Sequence, residues 1–194
     1  MSKADKTKEL IIERTAGIFN TKGFAGTSLT DMTDITGLTK GSIYGNFKNK
    51  DEVAIEAFKF NLQTMNHLFS SEMAKKNTFR DKLLVYSEVM SNFSETTFPR
   101  GGCPILNTAV ESDDTHPGLK HRAQKALLSW KDKIVVILKS GVEAGEFKNT
   151  QDPEQIAVTI LALLEGGIMI RKLTDNQKSI QLIMKSLRTY IEQL

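Results

Sequence analysis

Apolar residues along this chain recur at three- and four-residue spacings almost throughout, with turn-forming residues between the blocks. That period belongs to amphipathic helices and predicts an all-α protein. Ile11, Thr15, Ile18 and Phe19 make the buried stripe of a first helix over residues 6–22, which Gly23 ends. Leu29, Met32 and Ile35 mark a short second helix that Thr27 or Ser28 can cap, Ser28 having Asp31 at the spacing of a capping box. Gly37 stops it, because a residue that accepts positive φ ends a helix at little cost. Thr39 is placed to cap a third helix over residues 40–47, in which Ile43 and Phe47, four apart, take the buried face. Asn49 then caps a long helix over residues 50–75, with Glu52 at the box position.

The same reading predicts a helix from residue 78 to 96, a loop at Pro99-Arg100-Gly101-Gly102, and a short helix over 104–111. A second loop over 112–118 precedes a long helix over 119–144. Asp152-Pro153-Glu154 starts the next helix, with proline at its first position, and residues 175–193 form the last. The helix after Pro153 is apolar around more of its surface than one neighbour would cover. The last two helices are therefore expected to build a homodimer as a four-helix bundle, through Ile160, Leu163, Leu164, Ile183 and Leu187.

Two short helices joined by a tight turn, with a third directly after, make a helix-turn-helix, in which the second short helix enters the DNA major groove. Burying Ile43 and Phe47 turns Lys40, Gly41, Ser42, Tyr44, Gly45 and Asn46 outward. The segment TSLTDMTDITGLTKGSIYGNFKNKDEV, with the preceding IFNTKGF, resembles the tetracycline-repressor (TetR) family of bacterial transcription regulators. The resemblance is close over about the first 60 residues and elsewhere rests on length and helical character. It implies an N-terminal three-helix helix-turn-helix DNA-binding domain over residues 1–50 and a C-terminal helical ligand-binding and dimerisation domain over 51–194. It also implies that Thr39 and Tyr44 touch phosphates or bases, that Lys40, Gly41 and Ser42 lie nearest the base edges, and that Thr27 and Lys50 hold phosphates. Asn46 can bond a phosphate or an adenine edge. Many relatives carry an aromatic residue and a histidine at Gly45 and Asn46, and arginine at Thr30, so the operator sequence does not transfer from them.

Charge adds to this picture. Residues 1–50 hold eight Lys or Arg against five Asp or Glu, while the remaining eighteen of each sign balance, so the whole formal charge of +3 lies in the DNA-binding part. Phosphate neutralisation drives DNA binding, and this asymmetry suits it. No apolar run reaches the ~20 residues of a membrane span, and MSKADKTKELIIERT has no signal-peptide core. The protein is expected in the cytoplasm. The partners expected are a palindromic double-stranded DNA operator, a second copy of the chain, and an unidentified small-molecule effector that releases the repressor. The effector pocket is expected among Met65, Phe69, Met90, Phe93, Phe98, Trp130 and Met169, whose large flexible or flat side chains suit greasy ligands.

No cofactor is expected, and no catalytic function, because no phosphate-binding glycine loop, nucleophile elbow or zinc-spaced cysteines occur in the sequence. Cys103 is a lone cysteine, which excludes an internal disulfide. Two alternatives stand beside the regulator. One is a helical metal-binding protein or small enzyme using His116, His121 and the nearby Asp113 and Asp114; the other is a scaffold with a vestigial DNA-binding motif.

Overall fold

The computed structural model describes residues 2–92, 98–148 and 152–194. These residues form nine helices and no strand. They are α1 (Lys3–Gly26), α2 (Leu29–Thr36), α3 (Lys40–Asn46), α4 (Lys50–Met73), α5 (Phe79–Ser91), α6 (Pro104–Ser112), α7 (Pro117–Glu143), α8 (Pro153–Thr174) and α9 (Gln177–Glu192). Helix α1 begins before its apolar stripe because Ser2 and Asp5 cap it reciprocally, at 2.8 and 3.1 Å. It also runs past Gly23, which sits at φ 73° and kinks the helix instead of ending it. Helix α5 stops at Ser91, and the rest of the predicted helix to residue 96 lies outside the described residues from 93 onward.

The chain divides into two compact units, one of Met1–Met65 with Phe98–Gln124 and one of Asn66–Thr97 with Lys125–Leu194. The division does not fall at residue 50: α6 and the start of α7 cluster with the N-terminal helices. Hydrogen bonds explain why. The Asn20 side-chain amide donates to the Arg100 and Gly102 carbonyls at 2.8 and 2.9 Å. The Asn107 amide of α6 donates to the Asn20 and Gly101 carbonyls at 3.0 and 2.9 Å. Glu111, one turn on, accepts the Ala25 N–H at 2.8 Å. Polar groups at such a junction must be partnered to be buried at all, and these partners lie far apart in sequence. The apolar core of this unit includes Ile11, Phe19, Met32, Ile43, Phe47 and Val53.

In the second unit, α5, α8 and α9 pack on one another. The α9 stripe of Ile180, Met184, Leu187 and Ile191 is buried along its whole length, each such side chain contributing roughly 1.5–3 kcal/mol. Ile160, Leu164 and Leu187, expected at a dimer interface, are core residues of this unit, and Leu163 and Ile183 are half-buried. The strongest apolar stripe is taken up within the subunit. What α8 and α9 leave exposed is Val158, Met169, Ile170, Leu173 and Leu182. Arg80 fastens the end of this unit: it donates to the Ile191 and Glu146 carbonyls at 2.7 and 2.8 Å and stacks over Phe147. Among the described residues, no helix is long and apolar enough to cross a membrane.

Candidate functional site

Helix α2 is held at both ends as its sequence prescribes. The Ser28 N–H donates to the Asp31 carboxylate at 2.8 Å, and the Asp31 N–H donates to the Ser28 hydroxyl at 3.0 Å. Gly37 closes the helix in the left-handed conformation, at φ 70°. The Lys22 ammonium bonds Asp31 at 2.6 Å, and with the Ser28 donors it holds that carboxyl well below the usual carboxylate range. Thr39 caps α3, accepting the Ser42 N–H at 3.2 Å. Asn49 accepts the Glu52 N–H at 2.9 Å, while the Glu52 carboxylate reaches one residue farther than a capping box requires, to the Lys48 N–H at 2.7 Å.

With Ile43 and Phe47 buried, α3 turns its other side to solvent. Thr39, Lys40, Gly41 and Gly45 are exposed, and Ser42, Tyr44 and Asn46 are half-exposed. The Asn46 amide donates to the Ser42 carbonyl at 2.8 Å, and its oxygen makes no hydrogen bond among the described residues. A Cβ built on Gly45 would meet nothing within 4 Å, and one on Gly41 only the Thr39 hydroxyl at 3.9 Å. Each glycine costs a helix interior roughly 1 kcal/mol relative to alanine, and nothing inside the molecule requires either. They lie four apart, on one face, where a missing Cβ admits a close approach from outside. Gly45 thus joins Gly41 on this exposed face, and their four-residue spacing is the feature of the sequence that pairs them.

Thr27 and Lys50 prove to be connected. Thr27 is fully buried, and its hydroxyl donates to the Gly23 carbonyl at 2.6 Å, so its side chain is spent internally and does not present itself to a phosphate. Its carbonyl accepts from the Lys50 ammonium at 2.8 Å, and that ammonium also sits over the Phe24 ring at 4.2 Å. An ammonium has three donors, so two remain beyond the one given to Thr27. The His116 ring meets the Phe24 ring edge to face, with centroids 4.5 Å apart. Its Nδ1 accepts the Leu119 N–H at 3.1 Å, which makes Nε2 the protonated nitrogen that donates to Asp51 at 2.9 Å. Both ring nitrogens are thus engaged by protein. His121 is exposed, and among the described residues no group of three or more His, Cys, Asp or Glu side chains is placed to hold a metal ion. Cys103 is buried as the residue before α6.

A separate cavity of about 730 Å³ lies wholly within the second unit, between α4, α5 and α7. Phe69 and Trp130, both expected there, line it, together with Asn66, Met73, Tyr86 and Ile137. Phe69 stands 5.1 Å from Tyr86 and 5.7 Å, edge-on, from Trp130, and the Trp130 indole N–H donates to the Asn66 Oδ1 at 2.8 Å. The other expected residues do not line this cavity. Met65 and Phe98 belong to the first unit, Met90 is core, and Met169 is exposed on α8. Phe93 lies outside the described residues. Helical periodicity identifies large apolar residues without saying which of them border a space.

Two family models match the chain: "Bacterial regulatory proteins, tetR family" over residues 11–57, and "Tetracyclin repressor-like, C-terminal domain" over residues 80–187. A TetR-family transcriptional regulator from Cytophaga hutchinsonii is similar in structure, with a TM-score of 0.95 and 46% identity over 99% of this chain and 96% of that one. A TetR transcriptional regulator from Chloroflexus aurantiacus J-10-FL gives a TM-score of 0.94 and 32% identity over 100% and 98% of the two chains. The HTH-type transcriptional regulator TtgR of Pseudomonas putida is 28% identical over 171 residues, which cover 85% of this chain and 80% of that protein.

Proposed function

Because the chain belongs to the TetR family of bacterial transcriptional regulators, we propose that it acts as a repressor in the cytoplasm, holding a palindromic operator as a homodimer until a small molecule enters the α4–α5–α7 cavity. The observation that carries the DNA-binding half is the surface of α3. Its apolar face is anchored by Ile43 and Phe47, and its other face offers Lys40, Ser42, Tyr44 and two glycines that no internal contact explains. In this reading Thr39, Asn46 and Lys50 hold phosphates around the groove, and Thr27 acts through Lys50 by fixing its ammonium.

One recognition helix reads too few bases for genomic selectivity. A dimer doubles the site and spaces its halves ~34–36 Å apart or a multiple of that. The exposed apolar side chains of α8 and α9 supply a surface for it, and a Cβ on Gly166 of α8 would meet open space, which leaves room for another helix to come close. An effector in the cavity would then shift operator affinity by the ~1–3 kcal/mol usual for allosteric coupling.

Selection of genomic DNA fragments by the purified protein tests this, with Tyr44→Ala as control. The expected result is one palindromic site, recovered by the wild type and lost with Tyr44→Ala while the helical circular dichroism spectrum stays unchanged. Recovery that is the same for both proteins removes Tyr44 from the contact surface. Salt-insensitive recovery of no particular sequence supports the scaffold reading instead.

A further inference from the structure

We propose that the α4–α5–α7 cavity takes a flat, mainly apolar organic anion, which lays its rings on Phe69 and Trp130 and its negative group toward Lys125 and Lys133 at the rim. This rests on the reading of that cavity as the effector site and adds the chemical class of the effector. The floor is aromatic, with Phe69 central between Tyr86 and Trp130, an arrangement that favours stacking and edge contacts with a ring system.

Two donors on residues that line the cavity have no protein partner among the described residues. The indole N–H of Trp130 can only donate, so Asn66 must meet it with its oxygen, and the Asn66 amide N–H₂ is left with no hydrogen bond among the described residues. The Tyr86 side chain is buried, lines the cavity, and its hydroxyl makes no hydrogen bond among the described residues. Burial pushes its ionisation well above the ordinary tyrosine range, so it stays a neutral donor. Neither donor is sealed from solvent, so water meets them in the free protein, and a ligand oxygen would take the place of that water.

Charge at the rim sets the sign. Lys125 and Lys133 lie eight residues apart on α7, close to two helical turns, and both border the cavity. Neither makes an ion pair among the described residues. The one acid on the rim, Asp132, faces Lys131 at 3.7 Å, and Lys131 also pairs with Glu154 at 3.2 Å. Two ammonium groups without ion pairs at the rim, with an amide and a phenol below them that can both donate, favour an anion over a neutral or cationic molecule of the same shape.

The test uses the full chain and a matched pair of probes: anilinonaphthalene sulfonate, and phenyl naphthylamine, which has the same rings without the sulfonate. Trp130 is the chain's one tryptophan, so excitation transferred from it reports probe binding, and loss of that signal in Phe69→Ala, which alters the cavity lining, assigns the probe to this cavity and not to an exposed apolar face. At low salt the sulfonate should bind about fivefold more tightly than the neutral probe, two partly exposed charge contacts being worth about that much. Lys125→Gln with Lys133→Gln should abolish the difference and leave the neutral probe's affinity unchanged, and Tyr86→Phe should weaken the sulfonate severalfold. Equal affinities in the wild type, or a preference that survives the double substitution, overturn the inference.

The operator-bound complex separates the two readings. If both probes release DNA equally well per bound molecule and bind equally, the anion inference fails and the effector reading stands. If the sulfonate binds preferentially, through the lysines, without changing operator affinity, the charge class stands and the effector reading fails.

Discussion

The Lys50 ammonium is held on one side by the Thr27 carbonyl and on another by the Phe24 ring. A side chain fixed in this way loses little further entropy on meeting a phosphate. Replacing Lys50 with alanine should therefore weaken binding to every DNA sequence and flatten the dependence of log K on log salt by about one unit. A loss confined to one operator position, measured by titration at several salt concentrations, would remove Lys50 from phosphate contact. Gly45 offers the opposite combination. Its missing Cβ has only open space beside it, so Gly45→Ala should raise fold stability by up to ~1 kcal/mol in denaturant unfolding while lowering specific operator affinity. Stabilisation with unchanged affinity would place Gly45 away from the DNA.

At the scale of elements, two glycines let helices meet other groups where any larger residue would collide. Gly23 kinks α1 at a positive φ, and the space its Cβ would occupy is filled by the Glu111 carboxylate of α6. That carboxylate accepts the Ala25 N–H, so α6 is bonded to the turn that leads through Thr27 into α2. Gly141 of α7 lies against the Phe147 ring, which folds back onto the helix and carries Arg80 over it. Gly141→Ala would drive a Cβ into that ring. Overpacking of this kind typically costs ~1–3 kcal/mol, visible as a lower denaturation midpoint with an unchanged slope. A midpoint equal to that of the wild type would mean that Phe147 can swing away freely. The apolar spacing that predicts α1 and α7 contains neither meeting: Gly23 and Glu111 lie far apart in the sequence, and Phe147 reaches Gly141 only because the chain reverses at Gly145, beyond the end of the helix.

For the whole molecule, assembly is the property with the most consequence. Leu173 is 79% exposed on α8 and Leu182 58% exposed on α9, large apolar side chains that a partner helix would cover. The double substitution Leu173→Glu with Leu182→Glu should dissociate a dimer built on these helices and lower operator affinity, since each half-site would then be bound alone. Light scattering decides it, and a dimer that persists would place the interface on another face. Ile160, Leu164 and Leu187 would make poor probes, because their replacement would damage the core of the unit itself.

The sequence by itself determined the all-α class, the order of the helices, the caps at Gly37 and Thr39, and the outward face of α3. These depend on contacts three or four residues apart, and local periodicity records such contacts directly. Membership of the TetR family was legible for the same reason, since its motif lies in one continuous stretch. Only the tertiary structure decided that Thr27 is a buried brace for Lys50, that α6 belongs with the N-terminal helices, that Phe69 and Trp130 border a cavity while Met65 and Met90 do not, and that three apolar residues expected between subunits pack inside one. Each of those outcomes depends on which distant segments meet. Periodicity shows that a side chain must be covered; the packing of the whole chain decides what covers it.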